Sequence, residues 1–156
     1  MGIALYIVTF LGVGALLATG GVYSILAAEN VIKNKHYDKD QDLQNSHKYL
    51  SIASALCWSG IALLIILIIL YIAFGIETIE YTGQWLVIAF LIFILGLSVG
   101  VGILCAIGAS DMKKSSNFDP STSTTDELAY KDAILATVLI LGAVGLLLVG
   151  GIGIII

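Results

Sequence analysis

A chain of 156 residues that is 59% hydrophobic and only 12% charged, with a mean hydropathy of +1.04, is too apolar for a soluble globular domain. Its net charge of −4 is spread over polar connections rather than gathered in a tail, which argues against nucleic acid as a partner. The single proline, Pro120, leaves no proline-broken span of the transporter kind.

The first apolar block covers residues 3–28. No basic residue precedes it, and its apolar stretch is too long for a cleaved signal peptide. It is expected to be an uncleaved anchor with its N-terminus on the non-cytoplasmic side. Residues 29–49 follow, with four acids balanced by Lys33, Lys35, Lys39 and Lys48. Leu43, His47 and Leu50 fall at helical spacing, so the second helix is expected to begin near Asp42 and project beyond the membrane, capped by Asp42 or Asn45. Asp38, Asp40 and Asp42 alternate as at the start of an EF-hand. Leu43 then stands where glycine is needed and Tyr49 where a bidentate glutamate is needed, so a solvated charged turn is expected instead of a calcium loop. His36 and His47 have no Cys or second His at metal-ligand spacing, and no metal site is expected.

The second block is residues 50–76 and the third is residues 84–109. Their short link holds Glu77 and Glu80 and no lysine. Residues 110–132 form the other polar connection, with Lys113, Lys114 and Lys131. Its stretch 117–125, NFDPSTSTT, is rich in turn formers, and Thr124 with Glu127 fits a capping box that would open the fourth helix. The fourth block is residues 133–156. Each block is long enough to cross a hydrocarbon core of about 30 Å. The fold class expected is therefore all-α, a four-helix transmembrane bundle in one polytopic domain, with its two long polar loops on one face.

Sidedness follows from the lysines. All seven lie in the first and third connections, none lies in the second, and the chain has no arginine. The positive-inside rule then places residues 29–49 and 110–132 on the cytoplasmic face and both termini on the other. Aromatics agree with that frame. Tyr6, Tyr71, Tyr81 and Trp85 gather at the outer boundary, and Tyr23, Tyr49 and Tyr130 at the inner one.

No Asp, Glu, Lys, Arg or His lies within any block. Such residues mark ion paths and proton relays in membrane proteins, so pumps and coupled transporters are disfavoured. The hydroxyls of Thr9, Ser54, Ser59, Ser98 and Thr137 are expected to bond back to the preceding helical turn. A Ser, Thr or Cys nucleophile would need a base, and only His36 and His47, both outside the blocks, are available. An enzyme is not expected, and no cofactor is expected. Cys57 and Cys105 lie at similar depth and are expected to be small packed thiols, placed to be neighbours.

Small residues recur at helical spacing. Gly14 with Ala18 and Gly20 with Ser24 stand four apart in the first block, Gly96 and Gly100 stand four apart in the third, Gly102 belongs to a second row there, and Gly142, Gly145, Gly150 and Gly151 lie in the fourth. Such rows let helices approach closely in lipid, either within one bundle or between copies.

Residues 42–58, DLQNSHKYLSIASALCW, with the Ile/Leu-rich span that follows, resemble small tetraspan membrane proteins of large double-stranded DNA viruses. That resemblance implies a structural component of a virion's internal membrane, with capsid proteins as partners, and it transfers no site residues. The sequence reading is thus a non-enzymatic membrane scaffold that is oligomeric or part of a larger assembly. The lipid bilayer and other membrane or capsid proteins are its partners, met through the loop residues Lys33, Lys35, Asp38, Asp40, Asp42, Lys113 and Lys114. A small pore or channel subunit and a membrane-complex assembly factor are the alternatives.

Overall fold

The computed structural model describes residues 2–78 and 84–155, so Glu80 and Tyr81 lie outside the described residues. Among the described residues the fold has four α-helices, α1 (Gly2–Ile32), α2 (Gln41–Thr78), α3 (Gln84–Lys114) and α4 (Thr124–Ile155), with a short 3-10 turn (Tyr37–Lys39) between α1 and α2. Each α-helix is long and apolar enough to cross a membrane. Large apolar side chains such as Leu11, Ile72, Phe93 and Val149 point outward and are more than half exposed. An outer surface of this kind is suited to lipid tails. The chain therefore fits an integral, multi-pass membrane protein.

The helices close into a ring in which each packs on its sequence neighbours and α1 also packs on α4. Neighbours run antiparallel. Along α1, Thr9 meets Gly150, Gly12 meets Leu146 and Gly20 meets Ile140, so one register rises as the other falls. Likewise His47, Ser54 and Leu64 of α2 meet Ala28, Gly21 and Gly14 of α1 in descending order. Leu17, Ile94 and Ile140 are fully buried at the bundle's centre.

All four helices continue past their apolar blocks on the lysine-rich end. α2 starts nine residues before Leu50, and α4 nine before Ala133, close to the starts expected from Asp42 and Thr124. α1 and α3 also run on, to Ile32 and Lys114. The cause is a buried stripe that keeps its helical spacing into the polar segments: Ala28 and Val31 on α1, Leu43 and Ser46 on α2, Ala109 and Met112 on α3, Ala129 on α4. Tyr37, Phe118 and Tyr130 pack against this stripe. The extension has its own small apolar core.

Spacing picks out some of the glycines that bring helices together and misses others. A Cβ at Gly96, Gly100 or Gly145 would have open space, and one at Gly102 or Gly142 would make only ordinary contacts at 3.6 Å or more. The close approaches include Gly20, from the row in the first block, and glycines outside any row. A Cβ at Gly20 would stand 2.8 Å from Ile140 Cγ1, and one at Gly60 would stand 2.9 Å from Leu97 Cδ2. At Gly108 it would stand 2.9 Å from Leu50 Cγ, and at Gly21 3.0 Å from Cys57 Cβ. Leu91, by contrast, is a core residue at 8% exposure. Within one bundle, Gly100→Leu is therefore the harmless change, and Leu91→Ile is a volume-conserving core swap.

Serines divide into two kinds. Ser59, Ser98 and Thr137 bond back to the carbonyls of Ala55, Ile94 and Ala133 on their own helices, as expected. Ser24, Ser46 and Ser54 instead donate across helices, to the carbonyls of Leu50 at 2.6 Å, Gly108 at 2.8 Å and Gly21 at 2.9 Å. Ser54 thus departs from the back-bonding expected of it. Each crossing bond is made where a glycine or a buried small residue lets two backbones approach, the arrangement by which hydroxyls join helices in lipid. Cys57 packs on Gly21, and the Cys105 thiol donates to the Ser24 hydroxyl at 3.8 Å, so both thiols rest on one stripe of α1.

Candidate functional site

The two lysine-bearing connections do not behave as separate loops. They lock into one polar cap over the ends of the helices, and two buried carboxylates hold it together.

Asp40 is the first. It precedes α2, and its Oδ1 accepts from the backbone N–H groups of Asp42 at 3.0 Å and Leu43 at 3.3 Å, while its carbonyl accepts from Gln44 N at 3.1 Å. It is therefore the cap of α2, in place of Asp42 or Asn45. Its Oδ2 reaches the other loop. The Ser115 hydroxyl donates to it, as does Asn117 Nδ2 at 2.9 Å. The side chain is 9% exposed, so Asp40 is a strut inside the cap and not a contact for a soluble partner.

Asp126 is the second, 3% exposed in the first turn of α4. Asn34 Nδ2 donates to both of its oxygens at 3.0 and 3.1 Å, and Asp119 N donates to Oδ2 at 3.1 Å. Its own N–H donates to Ser123 Oγ at 3.4 Å, and Glu127 N donates to Ser123 O at 3.1 Å. The cap of α4 is Ser123, one residue before the Thr124 expected from the motif. The acid three residues on from it turns to the other loop instead of back to its own helix. The turn between α3 and α4 is folded locally around Asp119, whose carboxylate accepts from Ser121 and Thr122.

The Asp38, Asp40, Asp42 triplet does not converge. Asp38 is exposed, Asp42 is half-buried and Asp40 points inward. Among the described residues, no three His, Cys, Asp or Glu side chains gather in one place. His47 Nδ1 lies 3.1 Å from the carbonyl of Ala28, an oxygen that can only accept, so the ring nitrogen carries the proton. The same ring stands edge-on to Tyr37, with centroids 5.8 Å apart. His47 thereby fastens α2 to the end of α1.

All seven lysines are exposed. Lys33 and Lys35 border a shallow cleft of ≈ 380 Å³ whose far wall is Thr122, Ser123 and Thr125 and whose floor includes Asn34 and Asp126. Lys113 and Lys114 lie elsewhere on the cap. Lys113 Nζ stands 4.6 Å over the ring of Tyr130, and Lys114 is 3.5 Å from Asp111. The expected loop residues other than Asp40 are thus exposed or half-buried on the cap. Asn34, Ser115, Asn117 and Asp126, which hold the surface together, carry no motif. The sole hint in the sequence is Ser123 with Asp126, a second capping-box spacing beside that of Thr124 with Glu127.

Burial opposes ionisation of Asp40, but hydrogen bonds from Ser115, Asn117 and the N–H groups of Leu43 and Asp42 outweigh it and hold the carboxyl below its ordinary value of 3.8. A depressed carboxylate contributes stability that is complete above its unfolded-state value and is lost as pH falls through the lower folded-state value. Amide exchange protection of residues 34–44 and 115–126 should therefore hold from neutral pH down to about 4 and fall below it. The spans, with no charged side chain in their apolar blocks, should keep their protection over the same range.

Comparisons of the chain with protein-family models, with curated proteins and with solved structures return no match.

Proposed function

We propose that this protein is a non-enzymatic membrane scaffold whose polar cap, on the cytoplasmic side, is a docking face for a soluble or peripheral partner. The observation that carries this reading is the construction of the cap. Two connections more than 70 residues apart are joined by Asp40 to Ser115 and Asn117, and by Asn34 to Asp126. Surface loops that serve only as links need no such cross-bracing, whereas a binding face gains from being held in one shape before its partner arrives. The bundle beneath offers little else to act with. Its centre is filled by Leu17, Ile94 and Ile140, and the blocks hold no charged or histidine side chain to replace an ion's hydration shell. The resemblance of residues 42–58 to viral tetraspan proteins supplies a concrete form, a virion membrane component whose cap meets a capsid protein.

Two measurements test the reading. Purified protein in liposomes should show no conductance or proton flux above empty vesicles. Cross-linking through Lys35 and Lys39 in the native membrane should give one partner at fixed stoichiometry. A conductance abolished by Ser98→Ala or Thr137→Ala would replace the scaffold with a pore. Changes at Asp38 or Asp42 should weaken partner capture while leaving the bundle folded, whereas a change at Asp40 should unsettle the cap itself.

A further inference from the structure

Residues 29–49 and 110–132 contain nine acids against seven lysines, so the sequence makes this face acidic. Folding redistributes that balance. Asp40, Asp111 and Asp126 are turned inward at 9%, 7% and 3% exposure, while every lysine remains exposed. The acids left fully exposed are Glu29, Asp38, Asp119 and Glu127, with Asp42 and Asp132 half-buried. Asp40 and Asp126 are engaged by amides and a hydroxyl of the cap, and Asp111 by Lys114. A group approaching from outside meets ammonium groups first.

The lysines also lie at a particular level. Lys48 and Lys131 stand two residues from the apolar blocks, and Lys33, Lys113 and Lys114 four or five. At the helical rise of 1.5 Å these offsets are about 3–8 Å. The headgroup layer on each side of a bilayer is about 5–7 Å deep. Lysine stems extend along apolar surface to place their charge at such a boundary. Tyr130, beneath the Lys113 ammonium, marks the same level on α3 and α4. The acids at this level are Glu29, the half-buried Asp132 and the buried Asp111. Lys35 and Lys39 stand apart, seven and eleven residues past the first apolar block and two and six residues beyond Lys33 in the connection to α2.

We propose that the rim of the cap, Lys33, Lys48, Lys113, Lys114 and Lys131, selects anionic phospholipid in the adjoining leaflet, leaving the crown around Lys35 and Lys39 free for a soluble partner. The inference rests on insertion in a bilayer and is independent of any docking partner. Rim lysines on α2, α3 and α4, with Lys33 just past the end of α1, lie toward the cap ends of all four helices at headgroup depth, and a ring of that form suits many small anions better than one acidic protein.

The test is electron spin resonance of the full chain in phosphatidylcholine bilayers carrying spin-labelled phosphatidylglycerol or spin-labelled phosphatidylcholine. The motionally restricted fraction around the protein should favour phosphatidylglycerol about fivefold, the factor one surface lysine can supply. Salt of about 1 M, where the screening length is about 3 Å, should erase most of that preference in the unaltered protein. The combined change Lys48→Gln, Lys113→Gln, Lys131→Gln should reduce it toward unity, and Lys35→Gln with Lys39→Gln should leave it in place. Equal restriction of the two lipids would overturn the proposal, as would equal loss in the rim and crown variants. Binding of inorganic phosphate or polyglutamate without lipid selectivity would also overturn it and assign the face to a soluble anion or an acidic protein.

Discussion

Gly20→Leu and Gly108→Leu should each prevent the bundle from closing properly, with loss of about 1–3 kcal/mol or more, the range for forcing extra carbons into a packed core. At Gly20 even a Cβ would stand 2.8 Å from Ile140 Cγ1 and 3.7 Å from the carbonyl of Ala136, so a larger side chain meets backbone as well as a flexible chain end. At Gly108 the neighbours are Leu50 Cγ at 2.9 Å and the carbonyl of Ser46 at 3.5 Å. The same approach carries the Ser46 hydroxyl to Gly108 O at 2.8 Å, so separating the helices also removes a crossing hydrogen bond. The gain in helix propensity on replacing glycine is at most about 1 kcal/mol and does not offset this. Gly96→Leu and Gly145→Leu provide the contrast, because their Cβ positions are open. Unfolding in a mixed-detergent titration should separate the two pairs. Equal damage from Gly96→Leu would show that a second copy covers that face of α3.

Asp40→Ala should uncouple the two connections and fray the start of α2. It removes the N–H acceptor for Asp42 and Leu43, a loss of about 0.5–2 kcal/mol for a helix cap. It also strands the buried Ser115 hydroxyl, and a buried unsatisfied polar group costs about 1–3 kcal/mol, while the exposed Asn117 amide can turn to water. A combined effect of about 2–4 kcal/mol should fall on the cap alone, since the apolar blocks are untouched. Amide exchange would show it as lost protection at residues 41–44 and 115–118 with the centres of the spans unchanged. Asp40→Asn should keep the acceptor but lose the charge and rescue part of the protection. Loss confined to α2 with residues 115–118 still protected would mean that Asp40 is a helix cap and nothing more.

The number of helices and their starts were legible because they depend on one-dimensional signals. Apolar runs, turn-forming residues after Met112 and the Leu43, His47, Leu50 spacing locate α2 and α4 to within a residue or two. Which glycines pack was only partly legible: the row of Gly20 and Ser24 marked a true close approach, and the rows in the third block did not. The apolar blocks are hydrophobic on every side, so no stripe marks the inward face, and Gly96 and Gly100 satisfy a spacing rule while facing outward. Spacing reports that two small residues share a face; it does not report which face meets a neighbour. Ser54 illustrates the same limit, since back-bonding and cross-bonding require the same residue and differ only in what stands opposite. The cap was half legible. Its charges and turns could be read, but the bonds from Asp40 and Asn34 cross 75 to 92 residues of chain. Nothing local distinguishes Asp40 from Asp38, and only the packing of two loops does.

The most direct measurement is site-specific photocross-linking in the native membrane from three positions, Lys35, Ser121 and Trp85. Lys35 and Ser121 lie in different connections but on one cap, and Trp85 lies at the opposite end of α3 and is 76% exposed. If the cap is one docking face, probes at 35 and 121 should capture the same protein in the same proportion. The probe at 85 should capture lipid only, and Asp40→Ala should reduce capture at both cap positions together. Different proteins at 35 and 121, or equal capture at 85, would contradict it.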